Sequence, residues 1–278
     1  MRKVCLLAAV VASALAAAPS QASFWLTPTF STTSAADFDD FDGDVSSTSY
    51  GLMGGNEYFT LGYKGTSYDF SGPELFDDMS LLFADLHFKD NFSAQWGYFA
   101  GIGAAFGWED DFDATENYNI RPRAGLTYAI NGDYRISGGI GANINEPDSK
   151  VYPIITLNYR NSSDYGLSYV FGFPMIDAQY RFSEFLALNG KVTAVPVNQD
   201  IYQLSDDSSV ARGGYLAEEA AEANIGVTIT PIQAFSVTAG VGVKFAHEYK
   251  IYNRHGDEIR SFDTDPSGQA YIGFNARF

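Results

Sequence analysis

The stretch Phe235-Ser236-Val237-Thr238-Ala239-Gly240-Val241-Gly242-Val243-Lys244-Phe245 decides the fold. Every second residue is apolar: Phe235, Val237, Ala239, Val241, Val243 and Phe245. The residues between them are small or polar. Such alternation gives a β-strand with two chemically different faces. Working outward, the same pattern recurs. Residues 223–229 set Ala223, Ile225, Val227 and Ile229 against Asn224, Gly226 and Thr228, and residues 134–144 set Ile136, Ile140, Ala142 and Ile144 against Arg135, Ser137, Gly139, Gly141 and Asn143.

The apolar faces are graded along their length. Trp96, Tyr98, Phe106 and Trp108 bracket Ala100, Ile102 and Ala104, and Tyr118 and Tyr128 bracket Ile120 and Ala124. Aliphatics in the middle with aromatics towards the ends match a wall that crosses a lipid bilayer between two interfaces. Several runs approach the 9–11 residues that a tilted spanning strand needs, beyond the usual 5–6 of soluble strands. Short turns, such as 131–133 and 183–184, alternate with longer or acidic links, such as 34–45, 71–78, 109–116, 145–150, 198–213 and 253–266. That rhythm fits short periplasmic turns and longer outer loops. The segments number about fourteen, an even count as bacterial barrels require, with twelve and sixteen as the neighbouring possibilities. The expected fold is therefore all-β: a transmembrane antiparallel β-barrel without a plug domain.

The chain ends Ala270-Tyr271-Ile272-Gly273-Phe274-Asn275-Ala276-Arg277-Phe278, with Ile272, Phe274, Ala276 and Phe278 on one face and an aromatic last residue. This resembles the terminal strand of Gram-negative outer-membrane β-barrels. The resemblance implies that Ile272, Phe274 and Phe278 are read by the barrel-insertion machinery. Residues 151–195, with the break at Gly172-Phe173-Pro174, are similar to a group of barrels of unknown function, which implies a fold and no activity.

The N-terminus fits an exported chain. Arg2 and Lys3 precede an apolar run over 4–18, and Ser20-Gln21-Ala22 predicts cleavage before Ser23, so residues 1–22 read as a signal peptide and 23–278 as the barrel. The run is short for a spanning helix. Cys5 is the only cysteine and lies in that leader, which leaves the mature chain without a disulfide or a thiolate metal site. The expected location is the outer membrane of a Gram-negative bacterium, in contact with its lipid and lipopolysaccharide. A formal charge of −17 argues against nucleic acid as a partner.

If the apolar face meets lipid, charge belongs inside, because a charge facing hydrocarbon costs about 2–4 kcal/mol at mid-depth. Alternation places Lys64, Arg121, Arg123, Arg135, Arg160, Arg181, Lys191, Lys244, Lys250 and Arg277 on the inner face. Asp85, Asp177, Glu218, Glu222 and Glu248 join them. The pore-lining candidates are Lys64, Asp85, Arg121, Arg123, Asp177, Lys191, Glu218, Glu222 and Lys244. A water-filled lumen with this wall would favour anions. The first expectation is a passive porin-like channel for small hydrophilic solutes. The alternative is a closed structural or surface-interaction barrel working through acidic loops, its interior charges paired across the lumen.

An outer-membrane hydrolase is the third class. None of His87, His247 and His255 has serine two residues on, so the His-x-Ser pair of membrane phospholipases is missing. His255 and Asp257, with Asp110-Asp111 or Asp206-Asp207, only loosely mimic a protease dyad, and Asn253-Arg254-His255-Gly256-Asp257 reads as a turn. The acidic run 37–44 fails as a calcium loop. With Gly43 at the sixth position, Phe38 falls first and Ser49 stands where glutamate is needed. No cofactor is implied. Two local features stand apart. Leu216-Ala-Glu-Glu-Ala-Ala-Glu-Ala223 has helix formers that suit either a strand or a short helix over the mouth, and Pro28, Pro122 and Pro153 fall inside strands, where bulges are the expected accommodation.

Overall fold

A computed structural model describes residues 23–39, 42–109, 118–161 and 163–278. The leader 1–22 with Cys5, the residues Asp40 and Phe41, and the Asp110-Asp111 pair lie outside the described residues. Strands β1 (Trp25–Asp37), β2 (Asp44–Gly55), β3 (Phe59–Phe70), β4 (Met79–Asn91), β5 (Trp96–Trp108), β6 (Asn119–Ala129), β7 (Tyr134–Asn143) and β8 (Lys150–Tyr159) come first. They are followed by β9 (Gly166–Phe173), β10 (Met175–Arg181), β11 (Leu186–Thr193), a 3₁₀ turn (Val195–Val197), β12 (Gln199–Gln203), β13 (Tyr215–Ile232), β14 (Phe235–Tyr252), β15 (Glu258–Thr264) and β16 (Ser267–Arg277).

Fourteen strands close one antiparallel ring. β1 to β11 pair in sequence, β11 pairs with β13, β13 with β14, β14 with β16, and β16 returns to β1. The end that carries Phe24 and Phe278 also carries the short turns, which orients it to the periplasm. Closure pairs every strand of the fourteen-strand ring on both sides. The outward face is apolar and exposed, as at Ile102, Leu126, Ile140, Ile155 and Val241. Near the periplasmic end aromatic rings pair across neighbouring strands, Trp96 with Tyr128 at 4.9 Å, Tyr134 with Tyr159 at 4.8 Å and Tyr159 with Tyr169 at 5.3 Å, and along one strand end, Tyr180 with Phe182 at 4.8 Å. That ring of aromatics is the interfacial girdle. The three prolines do not bulge the wall. On one side of each strand the register runs unbroken through Pro28, Pro122 and Pro153, whereas on the other side the ladder skips Thr27 and Pro28 and begins only at Arg123 and Ile155.

Towards the extracellular end the wall divides. β9, β10 and β11 are 8, 7 and 8 residues long, whereas β13 and β14 each have 18. Above Glu222 the edge of β13 is free of β11 and pairs with β12 instead. Above Ala105 the edge of β5 is free of β6, and Gln203 of β12 bridges Trp108 there. The Glu109 N–H donates to the Gln203 carbonyl at 3.0 Å. On the other side β15 continues from β14 and meets the top of β1 through the Phe38–Thr264 bridge. The upper part is thus a narrower ring formed by β12–β15 and β1–β5, set over one side of the wide ring. Residues 198–213, expected as an outer loop, instead carry β12 across the lumen.

The narrow ring is filled with apolar side chains. Phe38, Leu75, Phe76, Met79, Tyr202, Leu204, Leu216, Tyr249, Ile251 and Phe262 are buried in one cluster. Burying each of the large ones contributes about 1.5–3 kcal/mol. No separate plug domain exists among the described residues, yet β12 and the β3–β4 link together close this half of the barrel. Residues 216–223 are strand, because both faces of upper β13 are buried: Leu216 lies in the main cluster, and Ala217 packs with Ile201, Tyr215 and Tyr252 behind it. Helical propensity yields to that two-sided burial.

One expected pair of interior charges is displaced. Ala246 has φ of +48°, and β14 gains a residue there relative to β13. Such a bulge reverses the alternation beyond it. His247, Tyr249 and Ile251 therefore turn into the core, and Glu248 and Lys250 turn to the opposite face, where they pair with each other at 3.2 Å.

Candidate functional site: the divided lumen

The lower lumen holds a cavity of about 1110 Å³ beside β5–β10. Its wall carries Lys89, Arg123, Arg135 and Arg160 against Asp90, Asp133 and Asp177, with Thr127, Ser137, Thr156, Asn158, Ser168 and Gln179 between them. Its roof is Val197 of the 3₁₀ turn together with Pro174 and Met175. The hydroxyls and amides form short chains around the wall: Gln179 donates to Asn189 at 2.8 Å, Asn189 to Thr228 at 2.7 Å, and Thr228 meets Thr238 at 2.7 Å. A wall of this kind is wetted by water and presents more cations than anions, although the chain as a whole is strongly acidic.

Above the cavity the predicted lining residues come together in ion pairs. Arg123 faces Asp85 at 3.3 Å, and its guanidinium donates to His87 Nδ1 at 2.7 Å. Because guanidinium has no acceptor, His87 receives that bond as a neutral ring and donates from Nε2 to Thr60, 3.2 Å away. The inner face of β5 is Gly97, Phe99, Gly101, Gly103, Ala105 and Gly107. A side chain at Gly101 would meet Arg123 and Leu86, and one at Gly103 would meet Asp85. Those glycines make room for the pair.

One step higher, Lys64 Nζ lies 3.0 Å from Asp200 Oδ2, and Arg121 Nη2 lies 3.3 Å from Asp200 Oδ1 and 2.8 Å from the Gln199 carbonyl oxygen. Asp200 belongs to β12 and was not among the expected lining residues. Lys244, Glu218 and Glu222 form a third group. Lys244 lies 3.3 Å from Glu218 and 4.0 Å from Glu222, and Glu218 also accepts from Tyr68 at 2.8 Å and contacts His247 Nε2 at 3.1 Å. Glu218 is buried beside the apolar cluster, so it seals the narrow ring instead of lining a water path. Asp177 faces the cavity, and Lys191, opposite it in register, is exposed and makes no ion pair among the described residues.

Behind β12 lies a second polar knot. Glu219, almost fully buried, meets Lys150, lies 3.5 Å from Lys250, and accepts from Gln199 at 2.8 Å. Asp148 lies 3.0 Å from Lys150 and accepts from Gln199 at 3.0 Å. Asn143 donates to the Pro196 carbonyl at 2.6 Å. This knot ties the β7–β8 link over the outside of the narrow ring. The glycine row on β5 was the one sequence signal that a segment docks inside. A side chain at Gly107 would strike the Ile201 carbonyl and the Tyr202 ring.

The remaining predicted positions are placed as follows. Ile272 and Phe274 lie on the apolar face of β16, and the Phe278 N–H donates to the Phe24 carbonyl at 2.8 Å, tying the C-terminal residue to the start of β1. His255 sits in a turn closed by Asn253, whose side chain accepts from the N–H groups of His255 at 2.8 Å and Asp257 at 3.0 Å. Asp206 is engaged by Arg254 at 2.7 Å. No group of three or more potential metal ligands occurs among the described residues.

A closed even-stranded barrel, an exposed apolar band, an aromatic girdle and a polar interior define a transmembrane β-barrel of the Gram-negative outer membrane. No protein-family model and no curated protein sequence matches the chain. Among solved structures it is similar to an outer-membrane channel from Pseudomonas putida F1, with 10% identity over 94% of this chain and 97% of that one and a TM-score of 0.45. It is similar to the NanC porin at 7% identity, 91% and 100% coverage and 0.42, and to the KdgM porin at 8% identity, 91% and 99% coverage and 0.39. The barrel, its girdle and its divided lumen stand on this chain's own geometry.

Proposed function

We propose that the protein is a narrow channel for small hydrophilic solutes whose extracellular exit is closed, in this conformation, by residues 194–200. The observation that carries this reading is the polar cavity ending directly beneath the 3₁₀ turn. The apolar core of the narrow ring is too costly to open, since it would expose many large side chains at about 1.5–3 kcal/mol each. The polar knot on the other side of β12 is not, because water replaces its hydrogen bonds at small net cost. The route therefore runs along the β6–β10 side. The cationic wall favours anions on it.

The test is conductance of the refolded barrel in a planar bilayer. Wild-type protein is expected to give small, infrequent steps with anion preference. Asn143→Ala, which removes the bond to the Pro196 carbonyl, is expected to raise the open fraction. Folded protein that stays silent in both forms defeats the channel reading. It would favour a closed structural barrel acting through its outer surface, which the filled narrow ring and the paired interior charges support. On either reading the lipid and lipopolysaccharide of the outer membrane surround the wall, and Ile272, Phe274 and Phe278 serve the insertion machinery.

A further inference from the structure

We propose that Lys64 and Arg121 form a binding site for the carboxylate group of the solute, and that Asp200 occupies this site as a built-in stand-in while the lumen is closed. The proposal rests on the channel reading and names its substrate class. Each of the other lumen ion pairs described above has both partners on wall strands: Arg123 with Asp85, Lys244 with Glu218. Among the described residues, only Lys64 and Arg121 take their carboxylate from the strand that crosses the lumen. The two cations come from β3 and β6 and divide its two oxygens between them, at 3.0 and 3.3 Å.

The surroundings suit exchange. The side chains of Lys64, Arg121 and Asp200 keep 30, 22 and 21% of their exposure, so water reaches the site, in contrast to the sealed Glu218 and Glu219. Arg123 stands two positions from Arg121 on the same face of β6 and also lines the cavity, which makes a cationic step from the cavity to the site. The 3₁₀ turn buries no residue, and the apolar anchoring of the crossing segment begins only at Ile201. Residues 194–200 can therefore leave by breaking polar contacts: the end of the β12–β13 ladder at Gln199 and Asp200, the Ala194 N–H to the Pro174 carbonyl, Lys64 and Arg121 to Asp200, Arg121 to the Gln199 carbonyl, Asn143 to the Pro196 carbonyl, and the Gln199 amide bonds. Their departure strips two cations of their counter-charge. A solute carboxylate restores it, with the planar guanidinium and the ammonium placed as they are for Asp200. A neutral polyol offers nothing equivalent.

The experiment is calorimetric titration of the refolded full-length barrel with succinate, inorganic phosphate and erythritol, with folding checked by heat-modifiable gel mobility. Asp200→Asn is expected to bind succinate at least tenfold more tightly than wild type, and erythritol not at all. Lys64→Met added to Asp200→Asn is expected to abolish the gain. An unchanged succinate affinity in Asp200→Asn, a gain that survives Lys64→Met, or equal binding of phosphate overturns the carboxylate site. Should Asp200→Asn not fold, Arg121→Gln in the otherwise native chain must lower succinate binding, and unaltered binding there overturns the proposal equally. The titration reads binding without ion flow, so a silent bilayer would defeat the channel reading while this result stood on its own.

Discussion

Asp200 and Lys64 are 136 positions apart in the chain and 3.0 Å apart in the lumen. That ion pair joins the crossing strand to the barrel wall and marks where the wide ring gives way to the narrow one. Arg121 shares the same carboxylate, so one acidic side chain holds two cations from separate strands.

Removing Asp200 therefore leaves two half-buried cations facing each other. Asp200→Ala is expected to lower stability by about 1–3 kcal/mol, the cost of leaving charged hydrogen-bonding groups unsatisfied. The double variant with Lys64→Met is expected to lose less than the sum of the single losses, because one stranded charge goes with it. Urea titration followed by gel mobility reads both. Strict additivity would mean that the pair does not couple.

Leu216 is fully buried in the narrow ring. Leu216→Ala is expected to cost about 2–5 kcal/mol, a transfer loss plus a cavity. Leu126, half exposed on the outer wall, meets lipid in place of protein, and Leu126→Ala is expected to cost far less. The midpoint temperature of the heat-modifiable transition separates them. Equal losses would show that the upper cluster does not hold the ring together.

Asp148 gives the β7–β8 link a pH dependence. Burial pushes its carboxyl up, but the ammonium groups of Lys150 and Lys250 outweigh that and hold the group below its ordinary value of 3.8. A depressed carboxylate stabilises the fold fully above its unfolded value and loses that contribution as pH falls through the folded one. Protection of residues 144–149 against hydrogen exchange, taken relative to the intrinsic rate at each pH, is expected to be flat from neutral pH to about 4 and to fall below it. Loss of protection already between pH 7 and 5 would assign the effect to another group.

Ile140 is 64% exposed on the outer face of β7, whereas Thr156 on β8 faces the cavity. Ile140→Arg is expected to cost about 2–4 kcal/mol if that face meets hydrocarbon at mid-depth, and Thr156→Arg far less. Folding yield into lipid vesicles reads the difference. Equal tolerance would remove the lipid from the outer face.

The wall was legible because each spanning strand declares its two faces at every second residue. Phe235 to Phe245 shows this without help from the rest of the chain, and so does the fourteen-strand ring it belongs to. Parity alone sends Lys64, Arg121, Arg123 and Lys244 to one face, and each makes an ion pair there. Parity failed where the backbone broke it. The bulge at Ala246 sent Lys250 and Glu248 to the other face, and nothing in Phe245-Ala246-His247 announces a left-handed residue. The crossing strand was missed for a different reason. Gln199 to Gln203 is short, lies among turn residues, and takes its meaning from β5 and β13, which lie far away in the chain. Only the inward glycines of β5 pointed to a docked partner, and glycine on a strand has several other uses.

Gly107 makes that last point testable. Its position is where the inner face of β5 meets β12, and an added Cβ would strike the Ile201 carbonyl and the Tyr202 ring. The obstacle is backbone as well as side chain, so it cannot turn aside within a rotamer. Gly107→Val must therefore push β12 away from β5, break the Gln203–Trp108 bridge and strain the Asp200 contacts behind it. The wall itself should survive, because Leu81 still pairs with residue 107 across the ladder and valine suits a strand. The expected result is a barrel that folds with normal gel mobility, is cut by protease within residues 195–212, and conducts more than wild type. Protease resistance equal to that of wild type would show that β12 does not depend on the glycine gap, and a protease-sensitive barrel with unchanged conductance would show that β12 is not the barrier.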